Sequence, residues 1–190
     1  MRKIAFLIFM FPMLNCSKKL YTHSDFFDYN RTSDFKADTD TKQLIYAILE
    51  RAVVSKKDIP SYKLIKDKMN IYINNVSYSK FHYWLDKPQE NLIDPKDVPT
   101  QIEKVRFCIK SKLEIQAISD KTDDFLYLII GNIVINNETA KIGLSNNWVV
   151  SKKNKGKYAI MSGGGYILTF KKINGNWIFD KNALINSWQS

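Results

Sequence analysis

YILTFKKINGNWIF, residues 166–179, decides the fold class of this chain. Tyr166, Leu168 and Phe170 alternate with Ile167, Thr169 and Lys171, so one face of the segment is apolar. Past Asn174-Gly175, Trp177 and Phe179 share a face and Ile178 takes the other. Asn-Gly between two such runs is the strongest short hairpin signal, because both central residues of the tight turn need φ > 0. Upstream, TAKIGLSNNWVV at 139–150 repeats the pattern, with Ala140, Ile142 and Leu144 alternating against Lys141, Gly143 and Ser145. LYLIIGNIVI at 126–135 reads as one more strand, joined to it by a turn at Asn136-Asn137. The lysine-rich KKNKGK at 152–157 is a loop. The end of the chain is therefore an antiparallel meander.

Helices precede that meander. Asp40 or Thr41 caps a helix on which Leu44, Ile45, Ala47, Ile48 and Ala52 recur at helical spacing, ending near residues 55–58 ahead of Pro60. Ser111 and Glu114 form a capping box for a short helix reaching about Asp120. IYI at 71–73, VSYSKFHYW at 76–84 and VRFCI at 105–109 are rich in strand formers. Residues 86–99 hold three prolines and read as a loop. The expected class is α+β, with helices packed on a curved antiparallel sheet that ends in a C-terminal β-meander. This element order resembles the nuclear-transport-factor-2-like or cystatin-like class, a fold that hosts enzymes and binders alike.

The N-terminus carries an address. Arg2 and Lys3 precede an apolar run from Ile4 to Leu14, about 16 Å long as a helix. A bilayer core needs about 20 residues, so the run has the size of a signal-peptide core. Met13-Leu14-Asn15-Cys16 follows, and it resembles the lipobox of bacterial lipoproteins. The family pattern has leucine three places before the cysteine and a small residue directly before it; Met13 and Asn15 stand there in this chain. The resemblance covers the first 16 residues. It implies removal of residues 1–15, a diacylglycerol on Cys16, acylation of the new amino terminus, and a tether over 16–39 ahead of one domain over 40–190. Two or more acyl chains hold a protein stably on a membrane where one does not. Ser17 does not resemble the aspartate of inner-membrane retention, and Lys18-Lys19 does not resemble an acidic export tract. The resemblance therefore implies an outer-membrane anchor facing the periplasm. Without a lipid, the same segment would be an ordinary secretion signal, but no small-residue cleavage site precedes Cys16.

Composition bounds the rest. At 45% apolar and 13% aromatic residues, the chain is globular in type. Its charge of +10 becomes +8 once Arg2 and Lys3 are removed, leaving 27 basic against 19 acidic residues. Behind a signal peptide the available polyanions are lipid headgroups, anionic glycans and acidic proteins. No arginine-rich or RNA-binding pattern supports a nucleic-acid partner. With Cys16 acylated, Cys108 is left without a partner for an internal disulfide and reads as a buried thiol.

No residue pattern names a reaction. Gly163-Gly164-Gly165 is followed by a strand and not by the helix a phosphate loop requires, so it reads as a bulge or a close backbone approach. His82 has no companion at metal-ligand spacing, and neither a metal nor a cofactor is expected. Asp38-Thr39-Asp40 reads as helix capping, and Asp120, Asp123 and Asp124 as a solvated turn. His82, Tyr83, Trp84, Trp148, Tyr166 and Trp177 would line a pocket if the sheet were cone-shaped; otherwise they are core. The leading expectation is non-catalytic binding of a protein or an anionic envelope partner. The alternatives are an immunity protein that blocks a toxin, and an enzyme with a small-molecule pocket.

Overall fold

The computed structural model describes residues 20–27, 35–55, 69–78, 90–157, 163–183 and 186–189. Cys16, His82, Tyr83 and Trp84 lie outside these. In chain order the elements are a 3-10 turn at His23–Phe26, α1 at Asp40–Leu49 running on into a π turn at Glu50–Val54, β1 at Asn70–Asn74, β2 at Val76–Tyr78 and β3 at Glu90–Leu92. A 3-10 turn at Pro95–Asp97, β4 at Gln101–Ile102, β5 at Val105–Lys110 and α2 at Lys112–Lys121 follow. β6 at Phe125–Ile130, β7 at Val134–Asn136, β8 at Thr139–Val149, β9 at Gly164–Ile173, β10 at Asn176–Phe179 and β11 at Asn186–Gln189 complete the fold.

The fold class is α+β, with helices on an open, curved sheet and a C-terminal run of strands. Among the described residues the main sheet has nine strands, in the order β10-β9-β8-β6-β1-β5-β4, with β11 also on β9 and β7 also on β8. The expected antiparallel pairing holds from β6 through β10. The centre differs, because β1 runs parallel to both β5 and β6. Parallel neighbours need a long crossover, and α2 supplies it by carrying the chain from β5 over β1 to β6. Strands so placed are covered on both faces, which is why β6 reads FLYLII with no polar alternation.

Two apolar layers result. Ile71 and Ile73 of β1, Leu128 and Ile130 of β6, and Leu168 and Phe170 of β9 pack under Leu44, Ile48 and Leu49 of α1. Trp177 and Phe179 of β10 close the same layer, so side chains fill the space beneath α1. On the other face, Tyr72, Phe125, Tyr127 and Ile129 pack under Ile115 and Ile118 of α2. Phe27 belongs to this second layer at 8% exposure, and the Tyr72 hydroxyl donates to the His23 carbonyl at 3.0 Å. The His23 ring stands edge-on to Phe125 at 4.7 Å. His23 and Phe27, inside the stretch expected as a tether, are thus packed onto the sheet.

Local chemistry explains the boundaries. Thr39 caps α1 by accepting from the Lys42 N–H. Asp40, in its first turn, takes Lys172 of β9 at 2.8 and 3.1 Å. Lys172 holds the Asp40 carboxyl below its ordinary range. Ser111 and Glu114 close the capping box at α2. At the hairpin, Asn174 and Gly175 take φ of 50° and 80°, the paired positive values of a type I′ turn.

Two sequence expectations need correction, and a third, the close backbone approach at the triple glycine, holds. The segment 126–135 is two strands, because the register with β8 shifts by one residue between Ile130↔Leu144 and Val134↔Lys141. That extra residue is a bulge. The proline-rich segment 86–99 contains β3, paired with β2 in a separate two-stranded ribbon; its prolines flank Glu90–Leu92 and do not interrupt it. The triple glycine leads into β9, where Gly164 and Gly165 pair with Asn146 and Ser145 of β8 on one side and with β11 on the other. A Cβ on Gly163 would come within 2.7 Å of the Asn146 carbonyl oxygen, so a close backbone approach explains glycine there.

These assignments predict chemical-denaturation results. Leu128→Ala should cost about 2–5 kcal/mol. Gly163→Ala should cost about 1–3 kcal/mol, since a backbone atom must move. Leu113→Ala, at a side chain 84% exposed, should stay within about 0.5 kcal/mol of the parent.

Candidate functional site

The flank of α2 is polar by helical spacing. Lys112, Gln116 and Asp120 follow one another at four-residue intervals while Ile115 and Ile118 point into the core. This flank faces the end of β8 and the lysine-rich loop after it. The Gln116 amide donates to the Val150 carbonyl at 2.9 Å and to Asp120 at 2.9 Å, which sets the spacing between helix and strand.

Three aspartates pin the loop. Ser151 donates its N–H and its hydroxyl to Asp124 at 2.7 and 2.6 Å. The Lys152 N–H donates to Asp120 at 2.9 Å. The Asn154 amide spans Asp123 and Asp124, at 3.0 Å to each. All three carboxyls sit below their ordinary range. The Lys152 N–H is the main cause for Asp120, and the Asp124 N–H for Asp123. At Asp124 burial pushes upward, but the bonds from Ser151 and Asn154 outweigh it. Carboxylates held this firmly as anions do structural work and are poorly suited to proton transfer at neutral pH.

Pinning the loop creates a cleft of about 360 Å³. Ile115, Tyr127 and Val149 make it apolar, Trp148 and Val150 also line it, and Lys112, Lys152 and Lys155 bring positive charge. A second cleft of about 320 Å³ runs beside β5, between Phe26, Phe27 and Pro99, with Arg106, Cys108 and Lys110 on its wall. Neither lining contains a carboxylate or a histidine. Apolar surface rimmed by cations suits the binding of an anion that carries apolar or planar groups.

Among the described residues the sequence candidates do not converge. Trp177 is 6% exposed in the layer under α1, and Tyr166 packs partly buried against that layer. Trp148 lines the α2 cleft, to which neither of them contributes. His82, Tyr83 and Trp84 fall outside the described residues, as does Cys16. Cys108 is half-buried against the second apolar layer. Among the described residues no three His, Cys, Asp or Glu side chains gather as a metal site. The residues missed from sequence are Lys112, Gln116 and Tyr127. The four-residue spacing along α2 signals the polar flank, but what it faces depends on the distant pairing of β6 with β8.

Loop pinning should follow pH with a definite sign. Lowered carboxylate pKa values stabilise above the ordinary value of about 4, and this contribution is lost as the pH falls through them. Hydrogen exchange at Ser151 and Lys152 should therefore lose protection on acidification below about pH 4. At neutral pH, Asp124→Ala should speed tryptic cleavage at Lys152, Lys153 and Lys155 while the far-ultraviolet circular dichroism stays unchanged. No family model, curated protein or solved structure matches the chain.

Proposed function

We propose that this is a lipid-anchored cell-envelope protein whose α+β domain binds an anionic envelope partner and catalyses no reaction. The observation that carries the reading is Cys16, placed directly after a short basic start and an apolar run too short to span a bilayer. The chemistry of the domain is compatible with it. Both clefts offer lysine or arginine beside apolar surface. Among the described residues, Phe170, Trp177 and Phe179 are buried in the layer beneath α1.

Intact mass and detergent partitioning test the reading. Native protein should enter the detergent phase as a chain that starts at an acylated Cys16, and Cys16→Ala should stay in the aqueous phase. A soluble, unacylated native protein would make Cys16 incidental and leave a freely secreted binder.

A further inference from the structure

The chain's exit point and its lysine-rich loop occupy the same end of the sheet. Tyr21 and Phe26 lie beneath the Lys121 ammonium, 5.7 and 5.9 Å from their ring centres. Lys121 is the last residue of α2, and the next residues hold the loop, since Lys153 reaches the Thr122 carbonyl and Asp123, each at 3.3 Å. Lys157 donates to Asn154 at 3.2 Å, and Asn154 is itself bound to Asp123 and Asp124. β6 begins at Phe125, under His23, and β1 begins level with it, as the Ile73↔Leu128 register requires. This end also presents apolar side chains to solvent: Leu20 is 89%, Met69 61% and Tyr21 40% exposed.

We infer that this end of the domain lies flat on the anionic surface of the membrane that anchors it, with Leu20, Tyr21 and Met69 at the headgroup level among Lys121, Lys153 and Lys157. The inference rests on anchorage at Cys16 and names the anionic partner as phospholipid. Reach supports it. Cys16 and Leu20 are separated by four residue steps, so an acyl chain on Cys16 holds Leu20 within about 14 Å. His23 and Phe27 are packed against Tyr72 and Phe125, so the chain is held on the sheet three residues after Leu20. Lys18 and Lys19 fall inside that short span.

Charge supports it as well. Lys104, Lys121, Lys152, Lys153, Lys155 and Lys157, with Lys18 and Lys19, stand here against Asp25, Glu103, Asp120, Asp123 and Asp124, so the end stays basic although these acids keep their charge. Asp25 accepts the Thr22 N–H at 2.6 Å, Asp123 is shared by Asn154 and Lys153, and Asp124 is taken by Ser151 and Asn154. Lysines whose stems cross apolar surface keep their ammonium groups in the headgroup layer. A basic patch next to an acyl anchor adds attraction to anionic lipid, and here it fixes the domain's orientation.

The test is an amine-acetylation footprint on the native protein, reconstituted in vesicles of phosphatidylcholine or of phosphatidylcholine with phosphatidylglycerol. The mass at Cys16 is read first. Lys121, Lys153 and Lys157 should be protected several-fold more on the anionic vesicles, high salt should remove the difference, and Lys141 and Lys181 should not change. Equal labelling on both vesicles overturns the inference while an acylated Cys16 still supports anchorage. If Cys16 carries no acyl chain, anchorage fails on its own, and the same chain is sedimented with the anionic vesicles. Sedimentation lost in K121Q/K157Q then sustains the face, and no sedimentation overturns it. Protection of these lysines by an anionic polysaccharide but not by vesicles also overturns it.

Discussion

Burial of β1 on both faces is the constraint from which the rest of the architecture follows. Ile71 and Ile73 point to one side and Tyr72 to the other, and all three are at most 1% exposed. A strand with two dry faces needs two covers. α1 provides one. The other comes from α2, placed there because a parallel β5-to-β6 connection must cross over β1. Tyr72 then needs a partner for its hydroxyl, and the His23 carbonyl accepts from it. The N-terminal aromatic turn is therefore part of how the second layer closes.

Much of this is legible from local chemistry, and the limits are physical. The type I′ hairpin at Asn174-Gly175, the alternation in β8 and β9 and the capping box at Ser111 depend on neighbours in sequence, so the residues declare them. The parallel centre does not show in the same way. An apolar run such as FLYLII is compatible with any strand buried on both faces, and pairing direction is set by a crossover that has no local signature. The bulge after Ile130 is equally non-local, since it exists only as a register shift against β8. Of the candidate site, Trp148 and the lysine loop stand out in sequence. Their cleft does not, because Lys112, Ile115 and Tyr127 come from two further elements.

The aspartates after α2 show how charge is used in this domain. Asp120, Asp123 and Asp124 meet backbone N–H groups, a hydroxyl and an amide as well as lysines. Hydrogen bonds to a carboxylate are roughly twice as strong as neutral ones and depend less on salt than an exposed ion pair does. The acids fix the shape of the loop, and Lys152 and Lys153 lie over Asp120 and Asp123, each at 3.3 Å.

The tie between Tyr72 and residue 23 also has a mechanical consequence. The N-terminal segment meets the body through the 3.0 Å bond to His23, the ring contacts of His23 and the burial of Phe27. A pull on the end of the chain loads these contacts one after another, as in peeling, before it reaches a strand. Peeling yields at far lower force than shearing a ladder of bonds, so the segment acts as a fuse. It gives way under tension before any strand does, and it takes Phe27 out of the second apolar layer.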